Sequence, residues 1–201
     1  MLSVSLCPIF SKVARLVKRI FLTLAIFSTG ILIAAYVLGW SIDDPRVYDE
    51  AVQQGVAYHM LTAVSGLVFA VLVHAIVLTY FMGTGRWMEE TRQVYHLSEK
   101  WQAESNSLKY RTLPWMAGAL VMLILAGAFG AIADPASPAG AEGFGGISAA
   151  TVHLLVATTA FVLNLVINLV EYQAIDRNTQ LVQEVLEEVQ RIRAEKGLPL
   201  S

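Results

Sequence analysis

Two histidines occupy matching places in this chain. His59 lies in A-Y-H-M-L-T-A-V-S-G and His153 in A-T-V-H-L-L-V-A-T-T, each near the start of a long apolar stretch. Ionisable side chains are expensive in hydrocarbon and face a bundle interior, where they mark a site or a buried partner. A histidine pair facing inward from two parallel helices is what one haem iron, or one metal ion, needs. The plainer alternative for both is an interfacial histidine bonded to backbone or water.

The neighbouring residues extend both faces. On the first stretch His59, Ala63, Gly66, Ala70 and His74 fall on one broad helical face. Ala63 and Gly66, with Ala157 opposite, would leave a slot for something flat, although small residues equally let another helix come close. On the second stretch His153, Ala157, Ala160, Asn164, Asn168 and Glu171 form a comparable stripe. His74 lies 15 positions beyond His59, about 22 Å along a helix. The same step from His153 reaches Asn168. The two stretches therefore offer a His/His level at one end and a His/Asn level at the other. Hydrogen bonding of a neutral His74 to Asn168 or Asn164 would satisfy both groups, and Glu171 is expected to pair with an arginine.

Other chemistry is less well supplied. His59 and His153 could join Asp43, Asp44, Asp49 or Glu50 in a His/carboxylate metal site. Arg86 and Trp87, in Gly83-Thr84-Gly85-Arg86-Trp87, could hold a quinone head group or lipid phosphate. Their plain reading is a hinge with interface anchors, because the glycine–lysine of a phosphate loop is missing. His96 is expected to be exposed. Cys7 is the only cysteine, which excludes an internal disulfide or a thiolate metal cage. No serine–histidine–acid set and no H-E-x-x-H helix is visible, so catalysis by side chains alone is not expected.

These residues need elements to carry them. Of 201 residues 56% are hydrophobic and only 15% charged, and the mean hydropathy is +0.57, too apolar for an ordinary soluble domain. Four stretches, roughly 20–40, 56–82, 113–133 and 149–172, each reach the ~20 residues that cross a hydrocarbon core. The expected fold is all-α: one polytopic membrane domain over 1–201, an up-and-down bundle of four transmembrane helices. Amphipathic helices flank it, an arm at Ile9–Arg19 and a tail helix over 173–196. Val182, Val185, Val189 and Ile192 give that tail an apolar stripe suited to docking. Asp44-Pro45 reads as the start of a short outer helix, the Pro/Gly-rich loop after Asp134 as irregular, and no internal repeat of the transporter kind is visible.

Charge sets the orientation. Thirteen of the fourteen basic residues flank the stretches on one side, and only Arg46 lies on the other, among acidic residues. By the positive-inside rule both termini are cytoplasmic, and the expected location is a bacterial cytoplasmic (inner) membrane. The first stretch is longer than a signal-peptide core and lacks a small-x-small cleavage site, so it reads as a retained anchor. No basic stripe points to nucleic acid.

With His59, His153 and His74 on parallel stretches and glycine between them, the chain resembles the four-helix haem-binding bundle of the b-type membrane cytochromes. The resemblance implies haem b with His59 and His153 as axial ligands, Ala63, Gly66 and Ala157 lining the slot, and electron transfer within an energy-transducing membrane complex. His74 would match one ligand of a second, inner haem, but Asn168 stands where its partner belongs. Two alternatives remain: a cofactor-free accessory or assembly subunit that docks a larger complex or a second copy of itself, and a quinone- or lipid-binding protein using Arg86 and Trp87.

Overall fold

Apolar runs give long helices here, one of them (α3) carrying Pro114 inside it, and their lengths decide the architecture. The computed structural model describes residues 7–137 and 142–198, with side chains of the first helix described from residue 16. Helix α1 spans Cys7–Trp40, α2 Glu50–Tyr95, α3 Lys100–Ala133 and α4 Ala149–Glu195, with a two-stranded hairpin, β1 Gly143–Phe144 and β2 Ile147–Ser148, before α4. All four helices are long and apolar enough to cross a membrane. At 1.5 Å per residue α2 and α4 are about 70 Å long, more than twice a hydrocarbon core. The polar extensions after position 82 in α2 and 172 in α4 are therefore helical continuations, not separate elements.

The ends of these helices follow local chemistry. Asp49 caps α2, accepting a hydrogen bond from the Ala51 backbone N–H at 2.9 Å. The short helix expected at Asp44-Pro45 does not form; there Asp44 accepts from the Arg46 N–H at 3.0 Å and closes a turn. The chain leaves α2 through His96 at φ 54°, with the Leu97 N–H bonded back to the Arg92 carbonyl at 3.1 Å, the 6→1 bond of a Schellman ending. Part of the loop after Asp134, expected to be irregular, forms the β1–β2 hairpin, turned by Gly145 and Gly146 at φ 58° and 86°; its positions 138–141 lie outside the described residues. The arm expected at Ile9–Arg19 is the start of α1 and no separate helix; the side chains of Lys12 and Arg15 lie outside those described.

The chain divides into two compact units. One, Leu24–Val73 with Trp115–Asn168, holds both His59 and His153. Its core includes Ala70, Leu123 and Ala160, and Phe27 meets Phe69 edge-on at 5.0 Å. On α2 the exposed residues Leu61, Val64, Val68 and Val71 form a stripe at helical spacing, away from the face of His59, Gly66 and Ala70. Apolar outside and small or polar inside is the pattern of a membrane helix in a bundle.

The other unit comprises Met1–Thr23, His74–Pro114 and Leu169–Ser201. Here α2, α3 and α4 share clusters built from Met88, Leu181, Val182 and Leu186, and from Leu97, Val185 and Val189. The tail stripe read as a docking surface is thus covered by the chain's own Trp87, Trp101 and Leu108. Polar groups in this unit are matched to one another. Ser105 donates to Asn178 Oδ1 at 2.6 Å, and Asn178 Nδ2 donates to Thr84 at 2.9 Å. Arg177 bridges Glu104 and Glu184 at 2.6 and 3.0 Å, and Lys18 pairs with Asp176.

Candidate functional site: a facing histidine pair

His59 and His153 meet. Their ring centroids are 6.1 Å apart and the ring planes stand at 75°. Each ring is oriented by the helix preceding its own. Nδ1 of His59 lies 2.8 Å from the Ala35 carbonyl oxygen of α1, and Nδ1 of His153 lies 3.1 Å from the Ala126 carbonyl oxygen of α3. A carbonyl oxygen only accepts, so each Nδ1 carries the proton and each neutral ring keeps its lone pair on Nε2. Among the described residues neither Nε2 has a hydrogen-bond partner. Both side chains are half-buried.

A neutral imidazole protonated on Nδ1 is a type of ligand that haem iron takes through Nε2. An Nδ1–H held by a backbone carbonyl is the usual outer-shell arrangement of a ligating histidine, fixing tautomer and ring angle. Close backbone supports the rings as well: a Cβ on Gly39 would come within 2.7 Å of His59 Cε1, and one on Gly130 within 3.1 Å of His153 Cε1. Neither glycine is conspicuous in the sequence, but both stand four positions after the carbonyl that holds the ring, the signal by which they could have been found.

The other candidates disperse. Gly66 is buried against α1, where a Cβ would meet Leu32 Cδ2 at 2.7 Å, so the space beside it is taken by a neighbouring helix. Ala63 and Ala157, half-buried, follow the histidines on their own helices. His74 Nδ1 lies 2.7 Å from Glu171 Oε1, with both side chains buried. Glu171 thus takes a histidine where an arginine was expected. Among the described residues, Asn168 Oδ1 and the second carboxylate oxygen of Glu171 are buried without a hydrogen-bond partner.

Arg86 and Trp87 do not share a site. Arg86 points outward and pairs with Glu90 at 2.9 Å, whereas Trp87 packs against the core of the second unit. His96 is exposed, as expected, and serves as the left-handed residue that ends α2. Among the described residues no group of three or more His, Cys, Asp or Glu side chains is placed to hold a metal ion, which leaves the His/carboxylate alternative without its carboxylates.

Outside the membrane-spanning segments, ion pairing shifts the titratable groups in the expected senses. Hydrogen bonding to Arg177 holds the Glu104 carboxyl below its ordinary value, and the Glu104 and Glu184 carboxylates push Arg177 further up. Compared with known proteins, the chain matches no family model, no curated protein and no solved structure.

Proposed function

We propose that this protein is an integral membrane electron-transfer subunit that holds one b-type haem between His59 and His153. The observation that carries the reading is the pair itself: two imidazoles from different helices, 6.1 Å apart, with both Nδ1 atoms engaged by carbonyls. Backbone bonding alone would suit a cofactor-free histidine. Two such rings close to each other, each with its Nδ1 already engaged by a carbonyl and its Nε2 left to ligate, favour a shared ligand.

Bound there, haem supplies a reversible one-electron couple, tuned by its ligands, burial and outer-shell hydrogen bonds. The protein's part is to bind and orient. His59 and His153 would hold the haem, and the chemistry it would supply there is electron transfer. Ala35 and Ala126 hold the Nδ1 protons in place and raise the basicity of the rings. With the basic flanks on the cytoplasmic side, the pair lies toward the outer face of the membrane. Electron partners would be other members of an energy-transducing complex.

The test is to purify the chain in mild detergent and record reduced-minus-oxidised and pyridine haemochrome spectra. One b-type haem per chain, lost in both His59→Ala and His153→Ala, is the expected result. A colourless, folded protein from cells supplied with ample haem would overturn the proposal.

A further inference from the structure

We infer that the histidine site is built from one helix hairpin used twice, and that Gly39 and Gly130 are the positioning residues that seat its two imidazoles. The inference rests on the proposed haem site for its purpose, but on separate contacts for its content.

In the first hairpin, α1 offers the Ala35 carbonyl to His59 Nδ1 and, one turn later, Gly39 to His59 Cε1. In the second, α3 offers the Ala126 carbonyl to His153 Nδ1 and, one turn later, Gly130 to His153 Cε1. Deeper in the same unit Leu32 lies against Gly66, and Leu123 shares a core cluster with Ala160. These correspondences keep register. Ala35, Gly39 and Leu32 each lie 91 positions before Ala126, Gly130 and Leu123, while His59 and Gly66 lie 94 before His153 and Ala160. Helices α1 and α3 have 34 residues each, and α2 and α4 have 46 and 47. The three-residue difference falls between α3 and α4, where the β1–β2 hairpin is inserted.

Five positions keeping two fixed offsets, with equivalent contacts, make the halves structurally equivalent around the site. The chemical consequence is a ligand class. Two like half-sites present two like Nε2 lone pairs, which suits a centre with two equivalent axial positions, such as a metalloporphyrin. A centre bound through Nδ1 would have to break the carbonyl bonds first.

The glycines are not interchangeable in tightness. At Gly39 a methyl would sit 2.7 Å from the His59 ring, so the ring must move; at Gly130 the 3.1 Å contact needs only a few tenths of an ångström. Gly30 and Gly127, with nothing within 4 Å of a Cβ, are the controls on the same two helices.

The experiment uses the full chain with nitrogen-15-labelled histidine in detergent, first ligand-free, then titrated with hemin. Both His59 and His153 are expected as Nδ1–H tautomers. Gly39→Ala should shift the His59 signals and weaken hemin binding about tenfold, as outer-shell changes typically do. Gly130→Ala should shift His153 with a smaller loss, and Gly30→Ala and Gly127→Ala should do neither. Nε2–H tautomers, or a folded Gly130→Ala protein with unmoved His153 signals, would overturn the inference; that milder variant carries the test if Gly39→Ala does not fold. Histidine signals that respond as stated while hemin fails to bind the wild type would support the seating and sink the haem reading.

Discussion

Nδ1 of His74 lies 2.7 Å from Oε1 of Glu171, 97 positions away along the chain, and neither side chain reaches solvent. A buried pair of this kind is costly to assemble and costlier to break, because removal of one partner strands the other. His74→Leu is therefore expected to destabilise the protein by about 3–5 kcal/mol. Removing both groups, in His74→Leu with Glu171→Met, should recover most of that loss. Equilibrium unfolding in detergent of both single variants and the double measures this; losses that simply add in the double would show that the two groups are not coupled.

Asn178 presents a neutral version of the same problem. It accepts from Ser105 and donates to Thr84, and all three side chains are buried. Thr84 also donates to the Tyr80 carbonyl at 2.9 Å, so it keeps a partner when Asn178 is lost, whereas Ser105 is left with a bare hydroxyl. Asn178→Leu should cost about 1–3 kcal/mol. A second change, Ser105→Ala, should return part of it in the same unfolding measurement, and no recovery would argue against the assigned bond.

The Arg177–Glu104 bridge predicts a pH dependence of definite sign. Its carboxyl titrates lower in the folded protein than unfolded. The contribution is thus fully present above the unfolded value of about 4.3 and fades as pH falls through the folded one. Both partners are more than a third exposed, so solvent screening keeps the effect small. Melting temperatures of wild type and Glu104→Gln should differ at neutral pH and converge in acid. A gap that widens below pH 4 would contradict the assignment.

His96 ends α2 in the left-handed region at φ 54°, a conformation that costs a residue with a Cβ about 1–2 kcal/mol. His96→Gly should stabilise the chain by up to about 1 kcal/mol, the relief of strain being partly offset by glycine's greater freedom when unfolded. Leu97, which follows, is buried in the cluster with Val185 and Val189. A lower melting temperature for the variant would mean that the imidazole has a role beyond the turn.

Much of this protein is legible without coordinates, because the relevant physics is local or one-dimensional. Runs of Leu, Ile, Val and Ala make four helices long enough for a membrane, and intervals of three and four put His59, Gly66 and Ala70 on one face of α2. The parallel pairing of α2 with α4 brings His59 near His153 once their levels match. By contrast, the carboxylate beside His74 was not legible. A step of 15 positions from His153 reaches Asn168, and Glu171 lies three further along the same face, so only the packed helices show that His74 Nδ1 meets Glu171 Oε1.

The amino-acid sequence by itself determined the helical class, the four apolar spans and the two histidine-bearing faces, since hydropathy and periodicity are properties of a single chain segment. Only the tertiary structure decided what each face touches. It placed Gly39 and Gly130 beneath the imidazoles and the Ala35 and Ala126 carbonyls on their Nδ1 atoms. It also folded the tail valines onto Trp87 and Trp101, leaving no open stripe for docking. Such contacts depend on the rotation and axial offset of one helix against another, and those come from packing whole surfaces together, which no single segment encodes.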